Sequence, residues 1–168
     1  LTTIGEDAFD GRGHLMSVTI PASVTSIGGE RPPWDAFGGC GELAKITVAA
    51  GNSAFSSADG VLFDKDKTAL LLFPAGKGGD YAIPSSVTGI GNGAFAYCSG
   101  LTSITIPSSV TGIGPAAFYE CSGLTSVTFA GSAIDFYYDP AFPDSLENVY
   151  FSGGAGTYTR AAGGWTKQ

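Results

Sequence analysis

A period of 23 residues constrains this chain more than any other feature. Ile83, Ile106 and Phe129 stand 23 residues apart, and the intervening segments are near copies. The first runs Ile83-Pro84-Ser85-Ser86-Val87-Thr88-Gly89-Ile90-Gly91, then Ala94-Phe95, Cys98, Leu101, Ile104 and Ile106. The second repeats it with Val110, Ile113, Ala117, Phe118, Cys121, Leu124, Val127 and Phe129. A period of this size signals stacked supersecondary units, each too small to bury its own apolar face.

The same frame reaches upstream. Ile4, Ala8-Phe9, Leu15, Val18 and Ile20 form the second part of a unit, so the chain starts inside a repeat, and further repeats are expected upstream. Ile20 to Val48 is a 28-residue unit. Its extra residues surround Glu30-Arg31-Pro32-Pro33-Trp34 and are expected to protrude as a loop. Residues 49–74 break the pattern. Two apolar runs, Val61–Phe63 and Ala69–Phe73, flank a charged turn, which predicts a hairpin near residues 59–74. Phe73-Pro74 is placed in register with Ile106-Pro107. After Gly131 the frame decays through Ala141-Phe142, Leu146, Val149 and Phe151 into a Gly-rich tail. Residues 1–168 are therefore expected to form a single domain of about six units, with residues 132–168 as a degenerate cap.

Each unit carries one strand-like run, Leu-x-x-Ile-x-Ile, with apolar residues at alternate positions. Val-Thr-x-Ile-Gly is a second, shorter extended piece, and Ala-Phe-x-x-Cys is too short for anything beyond one helical turn. Stacking turns these positions into columns of Ile, Val, Leu, Ala and Phe. That reading accounts for a chain with only 14% charged residues but 26 Gly, 17 Ser and 15 Thr. Glycine is expected at the corners, and Ser and Thr in the outward slots of the strands.

Composition also removes function classes. The net charge of −7, without a Lys/Arg cluster, opposes nucleic-acid binding. No apolar run reaches the roughly 20 residues of a membrane span. His14 is the one histidine, and no Gly-x-Ser-x-Gly elbow accompanies it. Asp64-Lys65-Asp66-Lys67-Thr68 begins like a calcium loop but has Ala69 and Ala75 where Gly and Glu are required. No cofactor motif is present. Cys40, Cys98 and Cys121 share one repeat position, which predicts a buried column of free thiols; a Cys98–Cys121 disulfide and a metal site are the alternatives. The chain reads as non-enzymatic.

The string Ile-Pro-x-Ser-Val-Thr-x-Ile-Gly-x-x-Ala-Phe-x-x-Cys-x-x-Leu-x-x-Ile resembles the BspA-type, or Treponema-type, leucine-rich repeats of bacteria. Residues 83–106 and 106–129 match it almost throughout, residues 20–48 match apart from the insertion, and residues 4–20 match with Arg12 at the Cys position. The resemblance implies a right-handed leucine-rich-repeat solenoid, α/β in class but mostly short strands and turns, with a parallel sheet on its concave face. It also implies a surface or secreted bacterial protein that adheres to host matrix or microbial macromolecules, that is, to a protein or glycoprotein partner.

On that fold, alternation places the outward strand positions at Ser17/Thr19, Lys45/Thr47, Leu70/Leu72, Ser103/Thr105, Ser126/Thr128 and Asn148/Tyr150. Leu70 and Leu72 would form an apolar spot in a polar stripe, unless the hairpin covers them. Trp34 is an anchor candidate on its loop, or folds back onto its own unit. Tyr137, Tyr138 and Trp165 either contact a sugar or help cap the open end of the stack. The leading expectation is a binding module; a spacer without a ligand and a carbohydrate-binding surface are the alternatives.

Overall fold

The computed structural model describes residues 1–137 and 140–168; Tyr138 lies outside them. In chain order the strands are β1 (Thr3–Ile4), β2 (Ser17–Ile20), β3 (Ser26–Ile27), β4 (Lys45–Val48), β5 (Phe55–Ala58), β6 (Val61–Asp64), β7 (Ala69–Leu72) and β8 (Gly79–Ala82). They continue with β9 (Gly89–Ile90), β10 (Leu101–Ile106), β11 (Gly112–Ile113), β12 (Ser126–Phe129), β13 (Asp135–Phe136), β14 (Gly156–Ala161) and β15 (Gly164–Lys167). Among the described residues one α-helix, α1, spans Leu146–Gly153, and short 3₁₀ turns span Pro33–Phe37 and Pro143–Ser145.

Each regular unit contributes a long strand from Leu-x-x-Ile-x-Ile and a short one from Thr-x-Ile-Gly. Long strands pair in parallel, β2 with β4 and β8 with β10 and β12. Short strands form a second parallel ladder in which β7, β9, β11 and β13 are neighbours. Register follows the repeat: Ile104 lies opposite Val127 and Ile106 opposite Phe129. The result is a β-solenoid whose core is a set of apolar columns.

The turns are held by one device repeated. In each regular turn the phenylalanine stacks on that of the next unit, Phe95 on Phe118 at 4.7 Å and Phe118 on Phe142 at 4.2 Å between ring centres. The cysteine thiol then donates to the carbonyl of the preceding unit's phenylalanine, Cys121 to Phe95 at 2.9 Å and Cys40 to Phe9 at 3.1 Å. All three cysteines are buried and free. Burial pushes the Cys121 thiol up to about 12 and raises those of Cys98 and Cys40. The corners are less glycine-dependent than expected: Tyr97 and Glu120 adopt φ of 61° and 56°. Glycine is needed for close approach instead, as at Gly114, where a Cβ would lie 2.7 Å from the Asn92 backbone nitrogen.

The hairpin forms as β6–β7, and β5 adds a third antiparallel strand. Its turn is closed by Asp64, whose carboxylate accepts from the Thr68 N–H and hydroxyl at 2.7 and 2.6 Å. The register expected for this segment is wrong. β7 joins the short-strand ladder, with Leu70 opposite Ile90, and Phe73 enters the phenylalanine column, 5.0 Å from Phe95. The long strand of this unit is β8, where Tyr81 stands opposite Ile104. Tyr81 packs against Phe73, and burial pushes its hydroxyl up to about 12.

Strand β6 divides the interior. Val61, Phe63, Leu70 and Phe73 belong to one core that runs through the regular units to Trp165. Leu62 and Leu72 belong to a second, with Ile4, Ile20, Phe37 and Ile46. Asn52, fully buried, seals the approach to the hairpin: its amide donates to Pro21 and Val24 carbonyls, and its oxygen accepts from the Ala54 and Phe55 N–H groups.

The C-terminal segment departs from the decayed-repeat expectation. Ala141-Phe142 does continue the column, but Leu146–Gly153 is helical rather than a strand. The Gly-rich tail forms the β14–β15 hairpin, which pairs antiparallel with β12 and extends the long-strand sheet.

Candidate functional site

The long-strand sheet presents two rows of side chains. One row runs Asp80, Ser103, Ser126, Thr159 and Thr166; the other runs Ala82, Thr105, Thr128 and Thr157. Ser17, Thr19, Lys45 and Thr47 hold the corresponding positions on β2 and β4, which pair as a separate two-stranded sheet. These positions are exposed or half-buried, while the alternate ones (Ile20, Ile46, Ile104, Val127) are buried. Neighbouring hydroxyls interact along the rows, as in Thr128 with Thr157 at 3.0 Å. Thr102 donates to Asp80 at 2.9 Å; donors from Ser103 and Thr102 hold the Asp80 carboxyl below the usual range. Such a face can both donate and accept hydrogen bonds while carrying little charge.

Three expected contact residues are not on it. Leu70 and Leu72 are buried and lie on the short-strand ladder, because Thr68-x-Leu70 continues the Thr88-x-Ile90 column. Tyr150 sits on α1, buried, with its hydroxyl donating to Gly131 at 3.0 Å; Asn148 is on the same helix. Asp80 and Ala82 occupy the places given to the two leucines. Their strand was masked by the Gly78-Gly79-Asp80 run, although Ile83-Pro84 marks its end in the repeat frame.

The phenylalanine column breaks once. Phe9 stacks on Phe37 at 5.1 Å, and Phe73 begins the second stack, but among the described residues no ring pair joins Phe37 to Phe73. The hairpin unit lacks an Ala-Phe-x-x-Cys turn, so the two stacks meet at a seam. A pocket of about 450 Å³ opens there, with Phe37, Leu43, Leu72 and Phe73 among its apolar lining and Asp7, Asp10 and Asp35 among its polar residues. Trp34 packs against the core of its own stack and also reaches across the seam: a Cβ on Gly93 would collide with its indole. The insertion is therefore a 3₁₀ turn that braces two stacks rather than a protruding loop.

The C-terminal aromatics form the cap. Trp165 is buried and donates its indole N–H to the Pro143 carbonyl at 2.7 Å. Tyr158 and Tyr150 pack on Phe129. Of the three aromatics weighed for a sugar contact, Tyr137 is exposed, Trp165 is buried and Tyr138 lies outside the described residues. His14 is exposed and 3.1 Å from Glu42. Among the described residues no group of three or more metal-ligating side chains converges.

Comparison with known proteins agrees with this geometry. The model of the BspA type leucine-rich repeat region matches six copies over residues 1–63 and 79–161, so the chain belongs to that family. The unmatched residues between them include β7 and Phe73, the segment that makes the seam. A leucine-rich cell surface protein of Faecalibacterium prausnitzii is 33% identical over 87% of this chain and 37% of its own, with a TM-score of 0.71. The pneumococcal vaccine antigen PcpA is 26% identical over 84% of this chain and 32% of its own, with a TM-score of 0.62. The leucine-rich repeat protein of Treponema pallidum shares the fold at 23% identity, covering 90% of this chain and 76% of its own, with a TM-score of 0.51. The chain thus spans just over a third of the Faecalibacterium protein's length. No curated protein matches it.

Proposed function

We propose that this chain is the recognition part of a bacterial surface or secreted protein and binds a protein or glycoprotein partner without catalysis, the partner being host matrix or another microbe's surface. The observation that carries this reading is the long-strand face: rows of Ser and Thr on the β8–β10–β12–β14–β15 sheet, with Asp80 and Ala82 at its β8 end, and the corresponding positions Ser17, Thr19, Lys45 and Thr47 on the separate β2–β4 pair. Surfaces of this kind recognise by shape and hydrogen bonding, and solenoids commonly use them so. Low charge predicts a weak salt dependence of association. Among the described residues no helix is long and apolar enough to cross a membrane. The surface character of the Faecalibacterium relative supports a similar placement here.

The test is binding of the purified chain to a panel of immobilised matrix proteins, beside a variant carrying Thr105→Arg and Thr128→Arg. Saturable binding that the variant loses, with its circular dichroism unchanged, is expected. Absence of binding across the panel leaves the spacer role in its place.

A further inference from the structure

The seam pocket lies apart from the hydroxyl face and has a chemistry of its own. Its volume of about 450 Å³ falls in the range of ligand sites, roughly 300–1,000 Å³. Phe37, Leu72 and Phe73 line it with apolar surface, and Trp34 and Tyr97 add two aromatic rings. Its charged lining residues are Asp7, Asp10 and Asp35, with no Lys or Arg. Arg31, outside the lining, is committed to Glu6 at 3.4 Å and Asp35 at 3.5 Å. Asp7 and Asp10 make no ion pair among the described residues, and neither does Arg12, which lies near Cys40 outside the lining.

These features select one kind of occupant. An apolar interior takes an aliphatic stem, and aromatic faces attract a cation. Carboxylates prefer a donor-rich positive group that is easily stripped of water, which favours guanidinium over ammonium. We propose that the seam pocket seats a single arginine side chain of a partner protein, its stem against Phe37 and Phe73 and its guanidinium at Asp7 and Asp10. The proposal takes from the functional reading only that the partner is a protein. It makes the break in the repeat an anchoring point distinct from a face that recognises by shape.

The experiment is an NMR titration of the isotopically labelled full chain, following the Trp34 indole N–H. The probe is acetyl-Gly-Arg-Gly-amide, with the citrulline peptide and cellotetraose in parallel. A saturable shift at Trp34 with a roughly millimolar dissociation constant is expected for one anchored side chain. Citrulline, which keeps the shape and loses the charge, should weaken binding about tenfold, as should Asp7→Asn with Asp10→Asn. Each aspartate substituted singly should act in the same direction, and Asp135→Asn, exposed on β13 and outside the pocket lining, should have no effect. No shift at Trp34, equal binding of the citrulline peptide, or stronger binding of cellotetraose would each overturn the proposal. The Thr105→Arg, Thr128→Arg variant should bind the peptide normally. No peptide binding by the unsubstituted chain, together with matrix binding that this variant loses, refutes the pocket alone; normal peptide binding together with matrix binding that this variant keeps refutes the hydroxyl face alone.

Discussion

The regular units at residues 83–129 and the hairpin unit at residues 49–82 solve the same problem differently. A regular unit fills its core with one residue per column and satisfies its cysteine thiol through the preceding unit's carbonyl. The hairpin unit has no cysteine and no Ala-Phe turn, and supplies its column phenylalanine, Phe73, from just past the end of β7. It substitutes a three-stranded antiparallel wall, with Val61 and Phe63 facing one core and Leu62 the other. Regularity gives a continuous stack; irregularity gives a boundary. The boundary is where the pocket lies and where an insertion from another unit, carrying Trp34, is needed to close the gap.

If the hairpin is core rather than decoration, Leu70→Asp should be as damaging as Ile90→Asp, since the two residues are partners in one ladder. Burying an uncompensated charge at either should cost at least about 4 kcal/mol and abolish cooperative urea unfolding. Tolerance of Leu70→Asp alone would break the equivalence.

A smaller effect separates the seam from the stack. Gly93→Ala places a methyl group against the Trp34 indole at a φ of +59° and should cost about 2 kcal/mol. Gly89→Ala, four residues earlier in the same unit, meets open space. Its urea midpoint should change by less than about 0.5 kcal/mol equivalent. Equal effects at the two glycines would remove the brace.

The smallest effect concerns the cap. Glu147 is buried, its Oε2 has no partner among the described residues, and desolvation raises its pKa. The folded cap therefore keeps this proton where the unfolded chain, titrating near 4.3, has lost it. Stability is highest below that value, falls as pH rises through the raised folded pKa, and then levels off. Glu147→Gln should remove this slope and gain about 1 kcal/mol at neutral pH, read from paired thermal melts at pH 4 and pH 7.

The repeat made most of the fold legible before any coordinates. The columns Phe95–Phe118, Ile104–Val127 and Cys98–Cys121 follow from spacing alone, because identical units stack in register. What was misread lies where chain chemistry imitates the frame. Phe73-Pro74 looks like Ile106-Pro107, but a proline only marks where a strand stops, and Thr68-x-Leu70 was the better register signal. That slip put Leu70 and Leu72 outside and hid Asp80 and Ala82. Tyr150 differs: Val149 and Phe151 alternate as in a strand, while Leu146, Val149 and Tyr150 stand at helical spacing, and six residues are too few to separate the two. Trp34 crossing to Gly93 had no local signal, since a contact between units 59 residues apart depends on how the stacks meet.

The central claim is that two stacks meet at a seam braced by Trp34, and native-state hydrogen exchange on Trp34→Ala tests it most directly. Protection should fall at Ile4, Ile20 and Ile46 while the amides of Ile104, Ile106 and Val127 keep theirs. A uniform loss across both sets would show one undivided core and contradict the account.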